Sequence, residues 1–158
     1  MLMPVKDNYF IKWLHAGLYK DAEFLESHSS ENFLKEPDIR RLMQSKYGMG
    51  GFVITEFDKP IGYTIYEQSK NLLEVVNLVV HQDYRRRGVA TLLMDRLATR
   101  KKWYSMQLCV RESNLSAQLF FSNKGFVATG VNRRYFEDHF LDGVKIEDGY
   151  NFRKDKVL

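Results

Sequence analysis

The run Arg85-Arg86-Arg87-Gly88-Val89-Ala90-Thr91 sets three cations and a glycine ahead of an amphipathic segment. That pattern suits anion capture. The first amides of a helix have no partners within it, and the helix dipole places partial positive charge there. Gly88 would let the backbone approach a phosphate with no Cβ in the way, Ala90 keeps the next contact small, and arginines pair with phosphate oxygens. A basic surface turn capping an amphipathic helix would carry the same residues, so both readings stand at this point. The second candidate is Glu74, eleven residues before Arg85, a carboxylate inside the apolar run Leu72 to Val80. Such a group needs a reason to be there. Partly buried, it would suit general-base work near neutral pH; otherwise it is a glutamate exposed at a sheet edge beside Lys70 and Asn71.

These groups need elements to hold them. Leu72 to Val80 reads as a strand, nearly continuous in aliphatic residues, which predicts burial on both faces. The helix after Ala90 shows Leu92, Leu93, Leu97 and Ala98 on one side and Asp95, Arg96 and Arg100 on the other. Tyr104 to Arg111 is the next strand, and alternation puts Gln107, Cys109 and Arg111 on one face. Ser116 to Asn123 reads as a short helix closed by Gly125, followed by strands at Phe126–Gly130 and Tyr150–Lys154. Upstream, a strand near Phe10–Leu14 precedes a helix over Asp21–Ser27 and a second opened by Pro37, with Ile39, Leu42 and Met43 inward. Gly48 to Gly51 is expected to end that helix. Phe52–Thr55 and Ile61–Glu67 form a hairpin about Asp58-Lys59-Pro60. Mixed strands and helices predict an α/β (α+β) fold, a single domain over residues 1–158 with a twisted mixed sheet of about six or seven strands flanked by helices.

Composition limits the function classes. The 158 residues are 44% hydrophobic and 14% aromatic, enough for one core, and carry a formal charge of +4 from 24 basic and 20 acidic residues. The excess is local, at Arg85–Arg87, Arg100–Lys102 and Arg133-Arg134, whereas a nucleic-acid binder shows a broader stripe. Nucleic acid is therefore not an expected partner. No apolar run approaches the roughly 20 residues that cross a bilayer, so no membrane is expected. The start, Met1 to Asp7, lacks a secretion-signal layout, and the single Cys109 agrees with a reducing compartment, so a cytoplasmic protein is expected. No metal-ligand spacing is present. Composition is silent on oligomeric state.

Arg85-x-x-Gly88-x-Ala90 after a hydrophobic strand resembles the acetyl-CoA signature of the GNAT acetyltransferase superfamily. Val110-Arg111-Glu112-Ser113-Asn114 with Phe120-Phe121-Ser122-Asn123-Lys124-Gly125-Phe126 is similar to the second cofactor motif, closest to the ribosomal-protein-alanine and protein N-terminal acetyltransferase branch. Tyr135-Phe136 with Glu147-Asp148-Gly149-Tyr150 resembles that branch's tyrosine-rich loop and final strand. The likeness covers Leu72 to Lys154, roughly half the chain. It implies a GNAT-like fold and acetyl-CoA as co-substrate, without a metal. Leu78, Val79 and Val80 would pair their backbone with the pantetheine arm, Arg86 to Thr91 would cradle the pyrophosphate, and Asn114 would bond the arm; Asn114 is equally a favoured helix N-cap.

The same resemblance exposes two departures. The branch's usual base falls at Cys109, and its usual tyrosine acid, four residues before Gly125, falls at Phe121, whose ring would keep the tyrosine's place beside the thioester. A phenylalanine has no proton to give, and a thiol is a poor substitute for a carboxylate. Cys109 reads more simply as a small buried strand residue. Glu74 lies where other branches of the superfamily place their base, and Tyr84 and Tyr135 remain as proton donors. The resemblance thus implies transfer of an acetyl group to a primary amine, a peptide N-terminus first. A small amine such as a polyamine, amino sugar or drug is the alternative acceptor. A weakly catalytic acyl-CoA-binding module is the alternative outside enzymes.

Overall fold

A computed structural model describes residues 4–6, 8–29, 33–100 and 102–157, with the Arg100 side chain left aside. The basic cluster at Arg100–Lys102 and part of the Met1–Asp7 start therefore lie partly outside the described residues. The chain forms two compact units, Met1–Ser69 with Val75–Lys102 and Lys70–Glu74 with Trp103–Leu158. Hydrogen-bonded neighbours give a seven-stranded sheet in the order β1-β2-β3-β4-β5-β7-β6.

In the first unit, β1 (Tyr9–Trp13) pairs antiparallel with β2 (Met49–Glu56), and β2 with β3 (Lys59–Ser69). Phe57 and Asp58 both take positive φ, 50° and 63°, and so supply the two-residue turn whose twist matches the strands. Lys59 and Pro60 accordingly belong to the strand rather than the turn, and a register shift between Ile54 and Thr55 lets Pro60 join the ladder. Helix α1 (Tyr19–Ser27) buries Tyr19, Ala22 and Leu25 at helical spacing, and α2 (Glu36–Met43), with Pro37 in its first turn, buries Ile39. These pack with Leu14, Val53 and Ile65 into one core. Buried within it, Glu26 accepts hydrogen bonds from the Tyr63 hydroxyl and from the Asn77 amide, the latter at 2.5 Å. A lone carboxylate is tolerated there because both donors are spent on it. Gly50 and Gly51 do not stop α2: they lie in β2, where a side chain at Gly50 would run into the Tyr66 ring.

Strand β4 (Leu72–Val80) departs from the predicted two-sided burial. Leu73 and Val75 are buried, Glu74 and Val76 are exposed, and Leu78 to Val80 are half-buried. Its continuous aliphatic run reflects β propensity more than a doubly covered position. Helix α3 (Val89–Arg100) buries Val89, Leu93, Met94 and Leu97; Met94 takes the inward place expected of Leu92.

In the second unit, Leu72–Glu74 of β4 run parallel to Ser105–Gln107 of β5 (Ser105–Arg111), and β5 pairs antiparallel with β7 (Gly143–Asp155). Strand β5 alternates as the sequence predicts, with Met106, Leu108 and Val110 buried and Gln107, Cys109 and Arg111 on the other face. Helix α4 (Leu115–Asn123) ends at Gly125, whose φ of 88° and N–H bond to Ser122 O at 3.1 Å make the expected left-handed cap. Strand β6 (Val127–Phe140) then pairs with β7 in a long hairpin, where the sequence had implied two short strands.

Candidate active site

The anion turn is built as its residues dictate. Gln82–Tyr84 form one 3-10 turn, capped by His81 Nδ1, which accepts the Asp83 N–H at 3.1 Å. Arg86 and Gly88 then adopt positive φ of 63° and 79°, reversing the chain into α3. The Leu92 N–H is the first to bond back, to Gly88 O at 3.0 Å, so the amides of Val89, Ala90 and Thr91 have no intrahelical acceptor. A Cβ placed on Gly88 would meet nothing within 4 Å. Three free amides, an open glycine and exposed Arg85, Arg86 and Arg87 fit a pyrophosphate. The arginines are held loosely: Arg85 Nε reaches Val80 O at 3.4 Å, and Arg87 lies over the Tyr84 ring at 5.2 Å. Tyr84 bonds Glu56, which raises its phenol above the ordinary value.

The second unit holds a cavity of about 320 Å³ lined by Glu74, Gln107, Leu108, Cys109, Thr129, Asn132, Tyr135, Asn151 and Phe152. It gathers three of the residues singled out above: Glu74, Cys109 and Tyr135. Strand register explains the grouping. Glu74 is the partner of Gln107, at the last pair of the parallel ladder, and Cys109 is the partner of Asn151 on β7. Glu74 is exposed, which removes the partly buried reading of it. Nor does it sit at a sheet edge, because β4 has a neighbour on each side. It is a solvent-reached carboxylate on an interior strand.

The electrostatics of the cavity follow from that carboxylate. Burial, and then the Glu74 charge, push the Cys109 thiol above its ordinary value. Burial also raises the Tyr135 phenol, with Cys109 and Glu74 adding to the rise. Both groups therefore keep their protons at neutral pH. Gly149 makes room for the thiol: a Cβ there would run into Cys109 Sγ and crowd Phe136. A second hollow, along Glu36, Pro37, Arg40, Arg41 and Gln44 of α2, gathers none of these groups.

Other candidates fall elsewhere. Phe121 is buried edge-on against Phe120 and Phe126, at 5.0 and 5.4 Å, and does not line the cavity. Asn114 is the N-cap of α4, its Oδ1 accepting the Ala117 N–H at 3.1 Å, which leaves its amide NH₂ for another partner. The amide wall of Gln107, Asn132 and Asn151 was not read as a unit from sequence. Alternation on β5 marks Gln107, but Asn151 joins it through the β5–β7 register and Asn132 through the β6–β7 register. Among the described residues, no cluster of three or more His, Cys, Asp or Glu could hold a metal, and no helix is long and apolar enough to cross a membrane.

Comparison with known proteins bears on family and fold. A family model described as an acetyltransferase (GNAT) domain matches residues 19–141. The ribosomal-protein-S18-alanine N-acetyltransferase from Escherichia coli superposes with a TM-score of 0.78 at 22% identity, covering 93% of each chain. Ard1 from Thermoplasma volcanium gives 0.77 at 19% identity, covering 96% of this chain and 100% of its own. The IAA acetyltransferase from Bacillus cereus gives 0.72 at 14%, covering 94% and 99%. A search of curated protein sequences returns no match. At these identities the structural likeness speaks for the fold, a seven-stranded mixed sheet with four helices. The family model spans well over half of the chain, and the chain belongs to the GNAT acetyltransferase family, as an acetyl-CoA-dependent N-acetyltransferase.

Proposed function

We propose that this chain acetylates the free amino group of a peptide N-terminus, with Glu74 as general base and Tyr135 as proton donor. The observation that carries the reading is the cavity that brings Glu74, Cys109 and Tyr135 together. The amides of Val89, Ala90 and Thr91, with Arg85, Arg86 and Arg87, hold the pyrophosphate across Gly88. The backbone of Leu78, Val79 and Val80 and the free amide of Asn114 orient the pantetheine arm. When bound, acetyl-CoA supplies the thioester carbonyl. Glu74 takes a proton from the acceptor ammonium and passes it to solvent; the neutral amine then forms the new C–N bond as the C–S bond breaks, and the second proton of that nitrogen leaves to Glu74. Tyr135, kept protonated, gives its proton to the departing sulfur and recovers one from solvent. Its raised phenol makes this transfer uphill, so its contribution is modest. Cys109 stays neutral and takes no proton.

The uncharged wall of Gln107, Asn132, Asn151 and Thr129 supports a peptide, whose backbone offers donors and acceptors to side-chain amides. A polyamine would call for further carboxylates, and among the described residues Glu74 is the only one lining the cavity. Of the similar structures, Naa50 from Arabidopsis thaliana was solved with the bisubstrate analogue CoA-Ac-MVNAL, 14% identical with a TM-score of 0.75. A thiol-release assay over peptides with free N-termini, the same peptides blocked, and small amines tests the acceptor. Turnover with free peptides alone is expected. Turnover confined to small amines would replace this acceptor.

A further inference from the structure

Arg111 closes β5 two residue pairs beyond Cys109, and its guanidinium makes three bonds to carboxylates. It makes a two-pronged bond to Asp138 of β6, both prongs at 2.9 Å, and reaches Glu147 of β7 at 3.4 Å. Its plane lies over the Phe136 ring at 4.4 Å. Glu147 is buried and turns its other oxygen to the Ser113 N–H at 2.6 Å. Burial alone would raise the Glu147 carboxyl; the bonds from Ser113 and then Arg111 outweigh it and hold the group below its ordinary value. Around this centre, the Glu112 N–H bonds Asp148 O at 3.1 Å, and Asp148 accepts the Arg134 N–H at 2.7 Å. One cation thus ties together the end of β5, the Glu112–Asn114 loop, β6 and β7.

What the cluster holds in place is the irregular part of the hairpin. Between Asn132 and Phe136 the β6–β7 register shifts, so Arg133, Arg134 and Tyr135 have no ladder partner, and Arg134 sits at a φ of 55°. A bulge of that size leaves the direction of Tyr135 unset by the sheet. Phe136, its immediate neighbour and edge-on to it at 4.9 Å, is the ring under the Arg111 guanidinium.

We propose that Arg111, with Asp138 and Glu147, is a positioning residue that fixes the Tyr135 bulge on the cavity wall and the Ser113-Asn114 turn at the head of α4. This rests on the reading of Tyr135 and Asn114 given above. Arginine is specific to the role, because a planar fork makes two parallel bonds and stacks on a ring, whereas lysine offers one point charge.

The test is Arg111→Lys in the full chain, beside Asp138→Asn, which keeps the side-chain shape and removes the charge. Amide hydrogen exchange at residues 133–140 and 112–115 should quicken about tenfold or more while residues 105–110 keep their protection. With a peptide acceptor, kcat should fall about tenfold with a smaller change in KM, because the displaced group acts on the reacting atoms. Exchange indistinguishable from the parent, or raised evenly over the whole chain, would overturn the proposal. If Arg111→Lys fails to fold, Asp138→Asn decides by the same readout. Exchange needs no substrate, so a parent protein inactive on every peptide would sink the proposed acceptor while the exchange result still judged Arg111.

Discussion

Replacing Gly88 with valine separates the conformation of the anion turn from its ligand. Gly88 holds a φ of 79°, where a side chain costs about 1–2 kcal/mol. Its Cβ position is open, so no clash within the protein adds to that cost. For a chain of this size 1 kcal/mol moves the melting midpoint by about 2–4 °C, so the unliganded variant should melt about 2–8 °C below the parent. Acetyl-CoA at a hundredfold excess over its Kd should stabilise the parent by about 2.7 kcal/mol, roughly 5–11 °C. In Gly88→Val that rise should largely vanish, because the branched carbon occupies the space through which the Val89, Ala90 and Thr91 amides meet the pyrophosphate. Scanning calorimetry with and without acetyl-CoA measures both effects. A variant that melts lower yet keeps the full ligand-induced rise would refute the placement of the pyrophosphate at this turn.

Cys109 should alkylate slowly at pH 8, with a rate that climbs through a pH above the ordinary thiol value, since burial and Glu74 both favour the protonated form; a rate profile at or below that value would contradict it. Phe121→Tyr should lower stability by about 1–3 kcal/mol without raising turnover, because its hydroxyl would enter the ring cluster of Phe120 and Phe126; a faster enzyme of unchanged stability would return Phe121 to the thioester. Tyr63→Phe should cost about 1–3 kcal/mol by taking one of the two donors from buried Glu26, read as a drop in the denaturation midpoint.

Local chemistry was legible in the sequence wherever it is written in adjacent residues. The Arg85–Ala90 turn, the alternation of β5, the Asn114 cap and the Gly125 stop are all of this kind, and each forms as its residues imply. Long-range pairing left weaker marks. Strands β6 and β7 were read as short because Arg133 to Asp138 is charged and exposed for most of its length, and no period of two announces a strand held by its partner and by Arg111. For Glu74 the aliphatic neighbours leave partial burial and exposure equally open; the face it uses opens to solvent. The cavity was legible in part, since Glu74, Cys109 and Tyr135 were named from spacing and family likeness. Its amide wall comes from three strands whose register no local pattern encodes.

The role of Glu74 is tested most directly by the pH dependence of kcat for the parent and Glu74→Gln on one free-N-terminus peptide at saturating acetyl-CoA. The parent should turn over at neutral pH, where the peptide amine is still largely protonated. The glutamine variant should be slower by roughly 10²–10⁴ at neutral pH, with acetyl-CoA affinity unchanged, and should recover only as the peptide amine loses its own proton. A Glu74→Gln protein with the parent's rate and the parent's pH profile would contradict the account, and leave deprotonation to water and the substrate.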